Sequence, residues 1–317
     1  MQAGKKGKLR LWVYICVVVG IIVLGVLILF RIYRPQENIF FLQYENEYGK
    51  DDTIIYKYNS KSKTVVEIGR VQGRLQDCVI NSDETYITGL IFGEGFEIVR
   101  YDLVAGTVES LDDAARKIDT LVGKSGGSSP LIYSEGNKIF ISLNGKNGDR
   151  KWLLYDLTTD QYDIVEAEDG VIQYLTIYDD KLWYIGKGRV LYKYDLEKKE
   201  KTQIMESVHS DAVVMPKTGL VAYTKDIHRK EIYLYDIGTQ ENRCITTGGW
   251  NICYGDLSWI NSGWSDTGRE FFYIEYFPGL FNEATNKLMI YDVITQSSRC
   301  IYKEKMTVDE FRYVIKR

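Results

Sequence analysis

The chain has 317 residues, 25 of them tyrosine, with 45% hydrophobic and 26% charged residues and a formal net charge of −4. That length can bury one large core or two smaller ones, and the mildly acidic balance removes the electrostatic case for binding nucleic acid. With only four prolines and no long polar tract the chain is not extensively disordered, and two histidines in different repeats, His209 and His228, are too few for a histidine-rich metal centre.

The first expected element is a membrane anchor. Lys5, Lys6, Lys8 and Arg10 lead into twenty uncharged residues, LWVYICVVVGIIVLGVLILF, which Arg31 and Arg34 follow. At about 1.5 Å per residue, a helix of that length crosses the roughly 30 Å hydrocarbon core of a bilayer. Fifteen of the twenty are Leu, Ile, Val or Phe, each favouring insertion by about 0.3 to 0.6 kcal/mol. The run has no polar face, ends in LILFRIYRP without a small-residue cleavage site, and holds Cys16 too deep for lipidation. Four positive residues before it against two after it place the N-terminus in the cytoplasm. The expected organisation is a cytoplasmic tail at 1–10, a transmembrane helix at 11–31, a linker at 32–37 and an extracytoplasmic domain at 38–317. A single pass would then hold the protein at the cell membrane.

From residue 38 onward the chain repeats one phrase. It reads IIYKYNSKSKTVVEI from Ile54, IVRYDLVAGTVESL from Ile98, LLYDLTTDQYDIV from Leu153, VLYKYDLEKKEKTQI from Val190, IYLYDIGTQENRCIT from Ile232 and MIYDVITQSSRCIY from Met289. Tyr58, Tyr101, Tyr155, Tyr194, Tyr235 and Tyr291 mark the copies, separated by 43, 54, 39, 41 and 56 residues. A period near 40 with two insertions is the spacing of four-stranded propeller blades. Each phrase supplies a third strand, a charged turn and a fourth strand. A second strand precedes it (NIFFLQY, TYITGLIF, NKIFISL, KLWYIG, GLVAYT, EFFYIEY), and candidate inner strands precede those (DCVIN, LIYSE, VIQYLTIY, AVVMP). The Asp after each Tyr serves folding. Its carboxylate accepts the free N–H groups of the turn, and Asn59 stands in for it in the first copy. The first copy lacks an inner strand, while EFRYVIKR is left over at the C-terminus. If EFRYVIKR enters the first blade, the result is an all-β, six-bladed β-propeller closed by its own C-terminal strand, which leaves no exposed sheet edge at the join.

Several stretches are weighed for chemistry along the way. Asp51-Asp52 and Asp179-Asp180 read as solvated turn carboxylates. Gly123-Lys-Ser125-Gly-Gly127 matches a nucleophile elbow in letters only, because an amphipathic stretch, DDAARKIDTLV, precedes it and SSP follows where a helix is needed. Its GKS is no phosphate loop, since Ile118 sits where the first glycine belongs. NGKNGDRK lacks the ligand alternation of a calcium loop and reads as a turn. Cys78, Cys244, Cys253 and Cys300 fall in separate repeats and read as buried free thiols. Neither a disulfide framework nor an N-glycosylation sequon is present, which fits a bacterial cell envelope. These readings name no catalytic residue, no metal ligand and no cofactor.

The last blade carries the candidate binding surface. GGWNICYGDLSWINSGW and YFPGLFNEATN are its longest irregular stretches, and they bring Trp250, Tyr254, Phe277 and Phe281 into loops, where aromatic side chains on a rigid scaffold typify binding surfaces. Packing of the insertion against its own blade is the competing reading, and Trp259 and Trp264 are expected to pack the inner strand. GWSDTGREFFYIEY, from Gly263, resembles the W-S-P-D-G-K-x-I-A-F phrase of TolB-like propellers at Trp264, Ser265 and Gly268, with Asp266 and Thr267 where Pro and Asp are usual. The resemblance covers residues 38–317 as an architecture. It implies a six-bladed platform for binding proteins or ligands and carries over no catalytic residue.

The functional expectation is a membrane-anchored extracytoplasmic propeller that binds a protein, peptide or envelope glycan. Two alternatives stand beside it: an envelope hydrolase or lyase using carboxylates in the central funnel, and a structural subunit of a membrane complex. The short span YRPQE, which reaches less than about 20 Å and is stiffened by Pro35, is expected to hold the Tyr–Asp turns toward the bilayer and the aromatic loops away from it.

Overall fold

A computed structural model of the chain describes residues 18–21, 38–47, 50–59, 62–92, 96–122, 131–134, 136–144, 150–167, 170–208, 212–224, 231–246, 262–265, 267–278, 283–307 and 312–314. The chain divides into two units, Met1–Glu37 and Asn38–Arg317. In the first, residues 18–21 are helical, and Val18, Val19 and Ile21 are exposed. Among the described residues no helix is long and apolar enough to cross a membrane. Residues 11–17 and 22–31 of the expected anchor lie outside them.

The second unit is six four-stranded antiparallel sheets. Blade one contains β1 (Asn38–Glu47), β2 (Lys50–Asn59) and β3 (Thr64–Gln72). Blade two runs β4 (Leu75–Ile80), β5 (Tyr86–Phe92), β6 (Phe96–Asp102) and β7 (Val108–Ser110), and the helix Asp112–Val122 follows it. Blade three is β8 (Leu131–Tyr133), β9 (Lys138–Asn144), β10 (Arg150–Asp156) and β11 (Gln161–Glu166). Blade four is β12 (Val171–Tyr178), β13 (Lys181–Gly186), β14 (Val190–Asp195) and β15 (Glu200–Met205). Blade five is β16 (Ala212–Met215), β17 (Leu220–Thr224), β18 (Ile232–Asp236) and β19 (Asn242–Cys244). Blade six is β20 (Ser262–Trp264), β21 (Glu270–Pro278), β22 (Glu283–Asp292) and β23 (Ser297–Thr307). The last strand, β24 (Arg312–Val314), pairs antiparallel with β1 through Phe41–Val314, Leu42–Tyr313 and Gln43–Arg312. The leftover strand therefore completes blade one, as its position in the sequence suggests.

Each seam between neighbouring blades has its own apolar cluster, six among the described residues. Phe40, Leu42 and Ile55 meet Leu75, Ile80 and Ile87 between blades one and two. Five further clusters fill the seams two–three, three–four, four–five, five–six and six–one. The alternation along a second strand shows why its sequence is apolar throughout. In β13, Leu182 and Tyr184 enter the three–four seam while Trp183 and Ile185 enter the four–five seam. A strand covered on both faces needs apolar residues on both. Each fully buried large side chain contributes about 1.5 to 3 kcal/mol, so the seams carry most of the stabilisation.

The repeated Tyr–Asp phrase is resolved atom by atom. The tyrosines sit in or beside the seams, with Tyr58, Tyr101, Tyr155, Tyr194 and Tyr291 buried and Tyr235 partly so. One oxygen of each Asp accepts the N–H groups two and three residues on: Val104 and Ala105 at Asp102, Thr158 and Thr159 at Asp156, Glu197 and Lys198 at Asp195, Gly238 and Thr239 at Asp236, and Ile294 and Thr295 at Asp292, all at 2.7–3.1 Å. Asn59 Oδ1 accepts from the Ser62 N–H at 3.0 Å. The fourth residue after each Asp or Asn has positive φ: Lys63, Gly106, Asp160, Lys199, Gln240 and Gln296, between 52° and 68°. That left-handed residue swings the chain into the outer strand. The aliphatic residue after the Asp (Leu103, Leu157, Leu196, Ile237, Val293) packs against a seam cluster.

Two expectations are corrected here. Asp51 and Asp52 lie in β2, paired with Asn46 and Glu45, because the first hairpin runs further than its polar composition suggests. Asp179 and Asp180 do form a turn, both at positive φ. Cys244 and Cys300 form no disulfide but are exposed, because β19 and β23 are outer strands whose side chains alternate toward solvent; only Cys78 is buried among the described cysteines. Cys253, His209, His228, Gly123-Lys-Ser125-Gly-Gly127 and the core of NGKNGDRK lie outside the described residues.

Candidate functional site

Of the four aromatic residues singled out in the sequence, Trp250, Tyr254 and Phe281 lie outside the described residues. Phe277 lies within β21, opposite Thr285 of β22, rather than in a loop. YFPGLFNEATN is mostly hairpin: β21 continues to Pro278 and β22 resumes at Glu283. Trp264 is buried in β20 against Phe271 and donates from its indole nitrogen to the Val213 carbonyl at 3.1 Å. It packs the inner strand as expected. Trp259 lies outside the described residues.

The long hairpins of blades six and one make the feature that sequence reading missed. In every blade the second and third strands begin in register at the Asp or Asn: Asn38–Asn59, Tyr86–Asp102, Lys138–Asp156, Lys181–Asp195, Leu220–Asp236 and Glu270–Asp292. All differences in length therefore emerge at the opposite face. The second strand has 10 residues in blade one and 9 in blade six, against 7, 7, 6 and 5 in blades two to five. At about 3.3 Å per residue the paired strands of these two hairpins extend roughly 7 to 16 Å further than the described strands of the others. Their outer strands follow, with 9 residues in β3 and 11 in β23. Blades six and one are ring neighbours, so the two ribbons stand side by side on one face. The 56-residue gap from Tyr235 to Tyr291 hints at the second ribbon; blade one gave no signal.

The seam beneath them is charged as well as apolar. Arg299 of β23 donates to the Tyr58 hydroxyl across the seam at 2.8 Å and pairs with the Glu270 carboxylate, itself 2% exposed, at 3.3 Å. Asp292, directly opposite Glu270, takes Arg269 at 3.1 Å on its second oxygen. Burial works to raise the Asp292 pKa, but the turn N–H groups and Arg269 outweigh it and hold this carboxyl below the usual range. A general acid needs a raised pKa, so Asp292 is unsuited to that role. Arg299 is pulled both ways: burial lowers its pKa, while Tyr58 and Glu270 raise it and prevail.

The other turn carboxylates follow the same pattern. The N–H groups of Ala105 and Val104 depress Asp102, and those of Lys198 and Glu197 depress Asp195. At Asp156 partial burial opposes the shift, but the Thr159 and Thr158 N–H groups bring it down. Tyr133, buried near Asp180, Asp156 and Asp163, is pushed up, chiefly by burial. Among the described residues no group of three or more His, Cys, Asp or Glu side chains could hold a metal ion.

No family model matches the chain, and no curated protein matches it by sequence. Solved structures do match in fold. TolB from Acinetobacter baumannii superposes with a TM-score of 0.60 at 11% identity, over 89% of this chain and 67% of that one. The putative TolB from Agrobacterium tumefaciens superposes with a TM-score of 0.55 at 13% identity, over 88% of this chain and 98% of that one. At such identities the likeness concerns the fold: a TolB-like six-bladed propeller.

Proposed function

We propose that this protein is a membrane-anchored, extracytoplasmic β-propeller that binds a protein, a peptide or an envelope glycan through the raised ribbons of blades six and one. The observation that carries this reading is the pair of hairpins standing above four shorter blades, on a seam fixed by buried aromatics and by the Tyr58–Arg299–Glu270 contacts. Recognition surfaces are commonly built this way, as protrusions on a rigid scaffold. The membrane assignment rests on the sequence: twenty uncharged residues, bounded by arginines, with the larger positive charge on the N-terminal side. A cell-envelope setting follows from that anchor.

The test trims both ribbons at registered pairs. An Asn-Gly turn joins Tyr44 to Thr53 in blade one and Glu275 to Lys287 in blade six, where the strands already pair. Wild-type and trimmed full-length proteins, extracted in detergent, are compared by chemical crosslinking after equal melting temperatures have been verified. The reading predicts crosslinked partners that disappear on trimming. Partners kept on trimming but lost when the anchor run is exchanged would favour a subunit held through its membrane segment. Hydrolysis of envelope polymers by the wild-type protein would favour an enzyme.

A further inference from the structure

β23 is the longest outer strand of the ring, and no further strand pairs with its outer side among the described residues. The outer strands of blades two to five have 3, 6, 6 and 3 residues, and short edges are one way proteins discourage unwanted strand pairing. β23 departs from that pattern. Its pairing with β22 shifts at Ile301, between the Leu288–Tyr302 and Met289–Cys300 pairs. Such a bulge bends the strand and sets the upper six residues, 302–307, apart from the blade below. Those six residues present backbone N–H and C=O groups along an open edge, the geometry that accepts an added strand.

The charges along the edge indicate the kind of strand. Lys303 stands directly opposite Lys287 of β22. Lys303 is exposed and has no ion-pair partner among the described residues. Lys305 follows two positions later in the same strand. Like charges directly across a sheet destabilise it, and opposite charges stabilise it. Glu275 of β21 stands opposite Lys287 in the same row, so Lys303 is the row's outermost charge. A strand laid against β23 with an acidic residue facing Lys303 gives it an opposite neighbour, whereas a basic strand would set like charges side by side.

We propose that the upper edge of β23 receives, by strand addition, an extended acidic segment of a partner protein. This deepens the binding function proposed above and rests on it, by naming the chemistry of the partner at one of the two ribbons. It is tested with full-length protein in detergent by fluorescence anisotropy, using a labelled eight-residue peptide that alternates threonine and glutamate. Two controls accompany it, a lysine-for-glutamate peptide and an acidic peptide methylated on alternate backbone nitrogens. The acidic peptide should bind, the methylated one should not, and Lys303→Glu should weaken the acidic peptide about 5-fold while improving the basic one. The proposal is overturned if neither peptide binds, if methylation has no effect, or if Lys303→Glu leaves the preference for the acidic peptide unchanged. Partners lost on trimming both ribbons but insensitive to Lys303→Glu would leave the binding function standing without this edge.

Discussion

One oxygen of each turn carboxylate gathers two backbone N–H groups, and at Asp292 the other oxygen faces Arg269. Replacing Asp292 by alanine leaves those donors without their acceptor, at a cost of about 2 kcal/mol. Asp292→Asn should cost less at neutral pH, because an amide oxygen serves the same turn at Asn59. The pH dependence has a definite sign. Asp102, Asp156, Asp195 and Asp292 are all held below their ordinary values when folded. Their contribution is therefore complete above the unfolded carboxyl pKa of about 3.9 and is lost as the pH falls through the lower folded values. Melting temperature should be level above about pH 5 and fall below about pH 4, with a shallower fall in Asp292→Asn; thermal melts at stepped pH check this. Thiol reactivity gives a second check. Cys244 and Cys300 should label in the native protein and Cys78 only after unfolding, which peptide mapping after labelling would show. The Tyr–Asp role was legible in the sequence because a turn N–H must find an acceptor wherever the phrase recurs. Thiol exposure was not, because pattern alone does not tell an outer strand's solvent face from its seam face.

Elements differ in how much of themselves the sequence reveals. The stretch DDAARKIDTLV reads as amphipathic, and it forms the helix Asp112–Val122, which packs Ala115 and Ile118 into the seam between blades two and three. β7, the outer strand before it, has only 3 residues. Ile118 is fully buried, so Ile118→Ala should destabilise the protein by about 2 to 4 kcal/mol, measured by denaturant unfolding. A change below about 0.5 kcal/mol, the size of an ordinary surface substitution, would show that the helix is not part of the core. The raised hairpins were far less legible. Pro278, Ala284, Thr285 and Asn286 have the composition of a loop, yet Pro278 pairs with Ala284 and Asn286 with Tyr276. Strand end and loop share those residue types; hydrogen-bond register separates them, and register is set by the partner strand. Of the site residues chosen from the sequence, Phe277 falls in the raised hairpin of blade six. The matching rise of blade one was hidden behind Asp51 and Asp52, which read as turn residues and lie in β2.

At the scale of the whole molecule, the ring depends on its two ends meeting. Inner strands touch in succession from β4 through β8, β12, β16 and β20 to β24, and blade one closes onto blade two through its apolar seam and a 2.7 Å bond from the Tyr44 hydroxyl to the Leu75 carbonyl. Among the described residues, three of β24 latch onto β1. Phe41 and Leu42, both buried, lie in the part of β1 that those residues cover. The central claim is that this short strand is what makes six blades one closed body able to carry the raised ribbons. The most direct measurement compares the full-length protein with a chain ending at residue 310, by differential scanning calorimetry in the same detergent. Exposing several buried side chains at about 1.5 to 3 kcal/mol each, with each kcal/mol lowering the midpoint by roughly 2 to 4 °C, predicts a fall of about 10 °C or more. Midpoints agreeing within about 2 °C, the shift of less than one kcal/mol, would contradict the closure, and with it the account of the fold.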